Sequence, residues 1–181
     1  MAIDPAIAIL IVACVALLFA GAAIHKLRDL RRFEEIFAAY GLVPLPAGSP
    51  LARAVPLLEA LVAAGLLFDP SRPAATRVGI VLLLAYAVAM AVNLLRGRRD
   101  LACGCGGPDD RRPIAAWMVW RNTMIATLAG LAMLPHSPRP LIPTDLVTIG
   151  FGTAACALVY LCLDRLLGRS GGLSAQLRMS Q

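Results

Sequence analysis

The chain contains five long runs of mostly apolar residues, each about 18 to 21 residues in length. They lie at residues 7–24, 51–68, 78–95, 114–134 and 146–163. A helix rises about 1.5 Å per residue, so each run is long enough to cross a hydrocarbon layer roughly 30 Å thick. The composition, 59% hydrophobic and 15% charged, is also too apolar for an ordinary soluble domain. The runs show no period-two alternation, which favours helices over a barrel. The sequence therefore predicts an all-α polytopic membrane helix bundle with about five transmembrane helices, a four-helix core plus one.

The connections between these runs carry very different numbers of positive charges. If Met1 lies on the outer side of the membrane, the connections on that side carry only Arg72, Arg77 and Arg139. All other Lys and Arg residues in the connections and the C-terminal tail then lie on the inner side. Short cytoplasmic loops collect Lys and Arg. We therefore predict a multi-pass protein of the inner (cytoplasmic) membrane, with the N-terminus outside and the C-terminus and the loop after the third run in the cytoplasm. These flanks account for the net charge of +6, so the predicted surroundings are a lipid bilayer, with no nucleic-acid partner.

The segment 26–40 has an amphipathic pattern of its own. Its apolar residues recur at helical spacing at Leu27, Leu30, Phe33, Phe37 and Tyr40. This pattern predicts an amphipathic helix after the first span, which either lies in the membrane interface or packs against the end of the bundle. The remaining connections are too short for a second domain. Residues 1–169 are therefore predicted to form a single integral-membrane helical domain, and residues 170–181 a flexible C-terminal tail.

Two ionisable residues lie inside the apolar runs, where they are costly and often functional. Glu59 in the second run and Arg121 in the fourth lie about 13 Å and 12 Å from the predicted inner ends of their helices. Equal depth makes an ion pair between them possible, which would either hold two helices together or serve in proton transfer and anion binding. Asn93 and Asn122 add polar groups at the same level. We therefore expect a polar pocket beneath the loop that follows the third run.

That loop contains the sequence "LACGCGG", in which Cys103 and Cys105 are one residue apart. Preceding arginines, including Arg98, favour the thiolate form. In an extended chain, residues i and i+2 are about 7 Å apart, at or beyond the usual disulfide limit of about 6.8 Å. The backbone must therefore bend, which Gly104 permits. A disulfide in so small a ring is easily reduced, so the pair is predicted to be a redox-active dithiol.

Other interpretations of the cysteines stay open. Cys103 and Cys105 could bind Cu(I) or Zn(II) together with His25, or could belong to a Gly-rich turn with no chemical role. The residues predict no bound cofactor, and they leave a quinone or Cu(I) open. The remaining cysteines lie in apolar runs and are interpreted as small buried hydrophobes: Cys14, Cys156 and Cys162. Cys14 and Cys156 could meet if the first and fifth spans touch.

Several stretches together resemble one family. They are "AGAAIHKLRDLRRFEEIFAAYGLVP", the span containing Glu59, "YAVAMAVNLLRGRRDLACGCGG" and "WMVWRN". They resemble the methylamine utilisation protein MauE family, which is grouped with DoxX-like redox-associated membrane proteins, over residues 21–134. The resemblance implies that Cys103 and Cys105 are the redox pair. It also implies a set of supporting polar residues: Lys26, Glu59, Asn93, Arg121 and Asn122. The chain has Ala102 where the family pattern leads us to expect an acidic residue before the first cysteine.

The family resemblance implies a role in maturing the disulfide-rich small subunit of periplasmic methylamine dehydrogenase. The functional hypothesis is therefore a membrane redox-associated protein, a thiol-disulfide oxidoreductase, that uses its CGC pair during maturation of an exported protein. Its partners would be that exported protein and a thiol-redox partner or electron acceptor. A non-catalytic membrane adaptor for an exported subunit, and a copper-delivery protein, are the alternatives. An exported substrate conflicts with cytoplasmic thiols unless a trans-membrane partner completes the route, the loop re-enters the membrane or the topology is inverted.

Overall fold

The computed structural model describes residues 3–104 and 113–179, and these form six α-helices without a β-strand. The helices are α1 (Pro5–Arg28), α2 (Leu30–Ala39), α3 (Leu45–Leu67), α4 (Arg72–Leu95), α5 (Ala116–Leu131) and α6 (Pro143–Met179). Cys105 lies outside the described residues. The predicted all-α membrane bundle is confirmed. The predicted tail boundary at residue 170 does not coincide with a helix end, since α6 continues to Met179, and the single-domain division stays a prediction.

Four of the described helices are long and apolar enough to cross a membrane: Pro5–Arg28, Ala47–Leu67, Arg72–Leu95 and Pro143–Leu166. The fourth predicted span, residues 114–134, corresponds to α5, whose 16 residues extend only about 24 Å. It nevertheless connects the two ends of the bundle. Just before α5, Pro113 pairs with Ala102 in an isolated β-bridge, and just after it His136 pairs with Ile3. We call these two ends the Cys103 end and the Asp4 end.

The core lies between α1, α3, α4 and α5. Each helix contributes an almost fully buried apolar side chain to one cluster, with Phe19, Leu66, Leu83 and Ala129 each 1% exposed. Gly79 of α4 lets α1 approach, because a Cβ added there would lie 3.0 Å from the Phe19 ring. The described part of α6 adds no residue to this cluster and packs on the outside of α1. The predicted arrangement of four core helices plus one is therefore present.

The amphipathic helix begins later than predicted. α1 continues through Lys26 to Arg28, and Asp29 then starts α2 by accepting a hydrogen bond from the backbone N–H of Arg32 (3.2 Å). α2 packs on α3, and an ion pair joins Glu34 to Arg53 (2.5 Å). Hydrogen bonding to this arginine lowers the pKa of Glu34. The helix packs against the bundle, and its position in the membrane interface stays a prediction.

An arginine clip closes the Asp4 end. Arg139, between α5 and α6, donates two hydrogen bonds of 2.8 Å to Asp4 and bonds of 2.7 Å and 3.0 Å to Asp145. Asp4 also caps α1, since its carboxylate accepts from the N–H of Ala6 (2.9 Å). The hydrogen bonds to Arg139 lower the pKa of Asp4, and the two carboxylates raise the pKa of Arg139. α1 and α6 therefore start side by side and run in the same direction.

Candidate functional site

Three helices meet at one buried carboxylate. The ammonium group of Lys26, on α1, donates to Glu59 Oε1 on α3, and the hydroxyl of Tyr86 on α4 donates to the same oxygen at 2.7 Å. The Lys26 nitrogen also lies 3.4 Å from the Tyr86 hydroxyl. The side chain of Lys26 is 5% exposed and that of Glu59 is 0% exposed. We call Lys26, Glu59 and Tyr86 the polar centre.

Aromatic rings surround the positive charge of the polar centre. The Lys26 nitrogen lies 5.2 Å from the centroid of the Phe33 ring, on α2, and 4.8 Å from that of Tyr86. A cation this close to an aromatic face is attracted by the ring quadrupole, more strongly where water is excluded. The second carboxylate oxygen of Glu59, Oε2, has no hydrogen-bond partner within the described residues. The polar centre therefore keeps a buried acceptor that can accept a further hydrogen bond.

The ion pair that equal depth made possible between Glu59 and Arg121 does not form, since each has another partner. Arg121, on α5, instead pairs with Asp164 on α6 at 2.6 Å. Its guanidinium lies 5.1 Å from the ring centroid of Trp117 and 5.5 Å from that of Tyr160. α3 packs against α1, α2 and α4, whereas α5 packs against α4 and α1. α3 and α5 therefore pack on the same two helices rather than against each other, and Arg121 lies outside the polar centre.

The two predicted asparagines are both buried. Asn93, at the end of α4, donates to the carbonyl of Ala89 (3.1 Å) and accepts from the Arg98 guanidinium (3.3 Å). Asn122 lies on α5, and its amide nitrogen finds no hydrogen-bond partner in the part of the chain described. Asn93 therefore anchors the loop that follows α4, and Asn122 contributes a second unused polar atom to the interior.

Arg98 joins that loop to α2. Its guanidinium donates to the carbonyls of Ala39 (2.7 Å) and Tyr40 (3.4 Å) at the carboxyl end of α2. The last carbonyls of a helix lack intrahelical donors, and a cation there is favourable. The charge of Arg98, expected from the sequence to favour a thiolate, is thus used to hold the loop against α2.

The loop between α4 and α5 holds Cys103 at the end of the bundle where α4 ends and α5 begins. Its base is closed by the Ala102–Pro113 bridge and by a hydrogen bond from the N–H of Ile114 to the carbonyl of Leu101 (2.8 Å). Cys103 is half-buried. The pairing geometry of Cys103 with Cys105 stays a prediction, because Cys105 is not among the described residues.

The loop turns over α2 at Gly104, the residue that the sequence analysis expected to permit a bend between the two cysteines. Its φ is +70°, a region that glycine occupies without steric cost. A Cβ at this position would lie 3.2 Å from Ile36 and 3.7 Å from the Phe33 ring. Both residues belong to α2, so the loop lies directly on the amphipathic helix.

Cys103 and the polar centre both border one buried apolar cluster. A cluster of four buried side chains lies at this end of the bundle: Met90, Leu101, Ile114 and Met118. Cys103 and Tyr86 both pack against it. Phe33 provides a second link, because it lies beside both Gly104 and the Lys26 ammonium. The polar centre therefore borders the same cluster as the Cys103 loop, and of the four residues of the predicted polar pocket it contains only Glu59.

The histidine considered as a metal ligand faces away from this site. His25 is exposed, whereas the adjacent Lys26 is buried. Among the residues that the structure describes, no three His, Cys, Asp or Glu side chains are grouped closely enough to hold a metal ion. Metal binding by Cys103 and Cys105 stays a prediction, since Cys105 is not described.

The sequence analysis did not identify Tyr86 and Asp164. Tyr86 hydrogen-bonds to Glu59, and Asp164 pairs with Arg121. Tyr86 could have been found, because it lies seven residues before Asn93. Two helical turns separate these positions, so their side chains point to the same face of α4. Asp164 follows the fifth apolar run, where it looks like an ordinary charged flank.

The family model "Methylamine utilisation protein MauE" matches residues 4–135. A methylamine utilization protein MauE from Paracoccus denitrificans is 36% identical over 163 residues, which cover 88% of this chain and 84% of that protein. The MauE protein of Methylorubrum extorquens is 33% identical over 178 residues, covering 96% and 95%. That of Methylophilus methylotrophus is 31% identical, covering 91% and 88%. No solved structure matches the chain significantly.

Proposed function

The chain belongs to the MauE family of methylamine utilisation proteins, and on this basis we propose that it catalyses thiol–disulfide exchange through Cys103 and Cys105. The exchange would serve the maturation of an exported protein needed for methylamine utilisation. The protein is a multi-pass helical membrane protein. The observation that carries the proposal is the packing of Cys103 and Tyr86 against one buried cluster, directly above the polar centre.

The proposed reaction needs no bound cofactor. The thiolate of one cysteine attacks a sulfur of the partner's disulfide, which forms a mixed disulfide and releases the partner's other sulfur as a thiolate. The second cysteine then attacks the mixed disulfide and releases the partner's remaining thiol. One disulfide bond breaks in the partner and one forms between Cys103 and Cys105. The reverse sequence oxidises a partner dithiol, and the partner's reduction potential decides the direction.

The described side chains support this chemistry by positioning the loop. Arg98 holds it to the end of α2, and the Ala102–Pro113 bridge closes its base. Gly104 lies against Ile36, so the residue between the two cysteines is fixed on α2. Such contacts limit the conformations of Cys103 while leaving it half-buried and within reach of a partner.

The polar centre is proposed to exchange protons with the thiol site. Thiol–disulfide exchange requires a thiol to lose its proton before attack and a thiolate to regain one afterwards. Glu59 has a carboxylate oxygen without a hydrogen bond among the described residues, and Tyr86 links this carboxylate to the cluster that borders Cys103. Lys26, Glu59 and Tyr86 are positioning residues in this scheme, since none is in contact with the partner protein.

The charge distribution supports an orientation with the Cys103 end in the cytoplasm of a cell with an inner membrane. The exported partner then receives or delivers electrons through a trans-membrane thiol-redox protein. Arg72, Arg77 and Arg139 lie at the opposite, Asp4 end together with the start of α1.

Complementation of a strain that lacks this protein tests the redox proposal. The strain receives the wild-type chain, Cys103→Ser, Cys105→Ser or the double variant, and growth is measured on a medium in which methylamine is required. The maturation of the exported proteins is measured by the extent to which their cysteines are paired in disulfides. We expect each substitution to abolish growth on methylamine while membrane levels stay normal. The single variant that retains the attacking cysteine should also accumulate a mixed disulfide, visible on non-reducing gels.

Cys162→Ser is the matched control, because Cys162 is exposed on α6 and belongs to neither the loop nor the polar centre. It should grow like the wild type. Normal growth of the Cys103→Ser/Cys105→Ser variant would overturn the redox proposal and favour the adaptor interpretation, in which α2 carries the function. Substitutions on the exposed face of α2 would then abolish growth instead.

A further inference from the structure

A second pair of cysteines lies far from the Cys103 loop, between the first and last helices. α1 and α6 run in the same direction, because Arg139 ties both of their first turns together. Their register is set where Gly152 passes Leu10, since a Cβ added to Gly152 would lie 2.5 Å from that leucine. One turn further along both helices are Cys14 and Cys156, four residues after Leu10 and Gly152 respectively.

This equal spacing places the two thiols opposite each other across the interface, and the two side chains are close enough to interact. The glycine one turn earlier permits the close approach, because it places no side chain between the helices.

The pair lies in the middle of the hydrocarbon layer. Cys14 is nine residues from the start of α1 and fourteen from its end, which places it about 14 Å and 21 Å from the two ends of the helix. Cys14 is half-buried and Cys156 is exposed on the outer face of α6, so lipid reaches the sulfur of Cys156. Water-soluble oxidants and protein disulfides are excluded from this depth.

We propose that Cys14 and Cys156 form a second redox site, at which a lipid-soluble quinone oxidises the two thiols to a disulfide that links α1 to α6. The two thiols give up two electrons and two protons as the sulfur–sulfur bond forms. The quinone takes up both and becomes a hydroquinone. A quinone fits the site by chemical class, because it is a two-electron, two-proton acceptor that dissolves in the hydrocarbon where Cys156 is exposed.

The test uses full-length protein in liposomes, with Cys103 and Cys105 replaced by serine so that the CGC pair cannot contribute. One variant also carries Cys162→Ser and retains Cys14 and Cys156. Its matched control carries Cys156→Ser instead and retains Cys14 and Cys162. Cys162 lies on the same helix but six residues beyond Cys156, about 120° away around the helix axis. Both proteins are reduced, freed of reductant and mixed without oxygen with a short-chain ubiquinone analogue.

We expect the first variant to convert one quinone to hydroquinone per protein and to lose both maleimide-reactive thiols, which a reductant restores. The control should react about tenfold more slowly or not at all, because its thiols are not held in contact. Equal rates in the two variants would overturn the proposal. Oxidation of the Cys14–Cys156 pair by diamide but not by the quinone would also overturn the proposal, because the two thiols would then be in contact but the quinone would not be their oxidant. Failure with both reagents would overturn the contact itself. None of these outcomes depends on the chemistry proposed for Cys103 and Cys105.

Discussion

Lys26 and Glu59, which lie 33 positions apart on α1 and α3, form an ion pair that is shielded from solvent on all sides. The amphipathic helix α2 provides part of the shield, because Phe33 lies against the Lys26 ammonium. Burying two charges is costly, and the cost is offset only when each has its partner and good hydrogen bonds. Glu59 therefore depends on Lys26 and Tyr86, and the junction of three helices depends on all of them.

Glu59→Gln should destabilise the protein strongly. It leaves the Lys26 charge buried without a counter-ion, for which the expected loss in the free energy of unfolding is about 3 kcal/mol or more. The double variant Lys26→Met/Glu59→Leu removes both charges at similar volume and should recover most of that loss. Thermal unfolding of the purified proteins in detergent measures both effects. A double variant no more stable than Glu59→Gln would contradict this account of the ion pair.

Gly104→Ala should loosen the Cys103 loop. The substitution places a Cβ 3.2 Å from Ile36 at a residue with φ +70°, so both the contact and the backbone conformation become unfavourable. Gly97→Ala is the matched control, because its φ is +77° but no atom lies within 4 Å of the added Cβ. The rate at which maleimide labels Cys103 should rise more in Gly104→Ala than in Gly97→Ala. Equal rates would show that contact with Ile36 does not hold the loop.

The clip at the Asp4 end predicts a dependence of stability on pH. Hydrogen bonds from Arg139 and the Ala6 N–H lower the pKa of Asp4, so its carboxylate is harder to protonate in the folded state than in the unfolded chain. The resulting stabilisation is complete above the ordinary carboxyl pKa of about 3.9 and is lost as the pH falls through the lower folded value. Asp4→Asn should therefore be less stable than the wild type at pH 6. The two unfolding midpoints should converge as the pH falls below about 3.9, whereas a constant difference would contradict the prediction.

Labelling in intact cells tests the proposed orientation. With Cys14, Cys105, Cys156 and Cys162 replaced by serine, a membrane-impermeant maleimide should label Cys103 only after the cells are permeabilised. The matched control is His136→Cys in a background that also carries Cys103→Ser, because His136 is exposed at the Asp4 end. This cysteine should be labelled in intact cells. The opposite pattern would put the Cys103 end outside, and the thiols could then work directly on an exported partner.

Much of the fold could be predicted from the sequence because membrane-spanning helices are specified locally. A run of about 18 apolar residues meets the requirement of the hydrocarbon layer by its own length. The bend at Gly104 was also predictable, since a CGC pair cannot form a disulfide in an extended chain. The start of α2 was placed four residues too early, because the helical periodicity of the apolar residues continues across Asp29 and hides the break.

The sequence alone determined that the chain is a bundle of membrane helices, that polar residues such as Glu59, Asn93 and Asn122 lie in its interior, and where its candidate thiols are. Only the tertiary structure decided which of those residues meet. Depth along a helix can be counted from the sequence, and on that basis Glu59 and Arg121 were paired. The direction in which each side chain points, and the helices that lie beside it, depend on packing of the whole bundle. That packing brought Glu59 to Lys26, Arg121 to Asp164 and Cys14 to Cys156, because two side chains at one depth interact only when their helices are neighbours and their faces are turned toward each other.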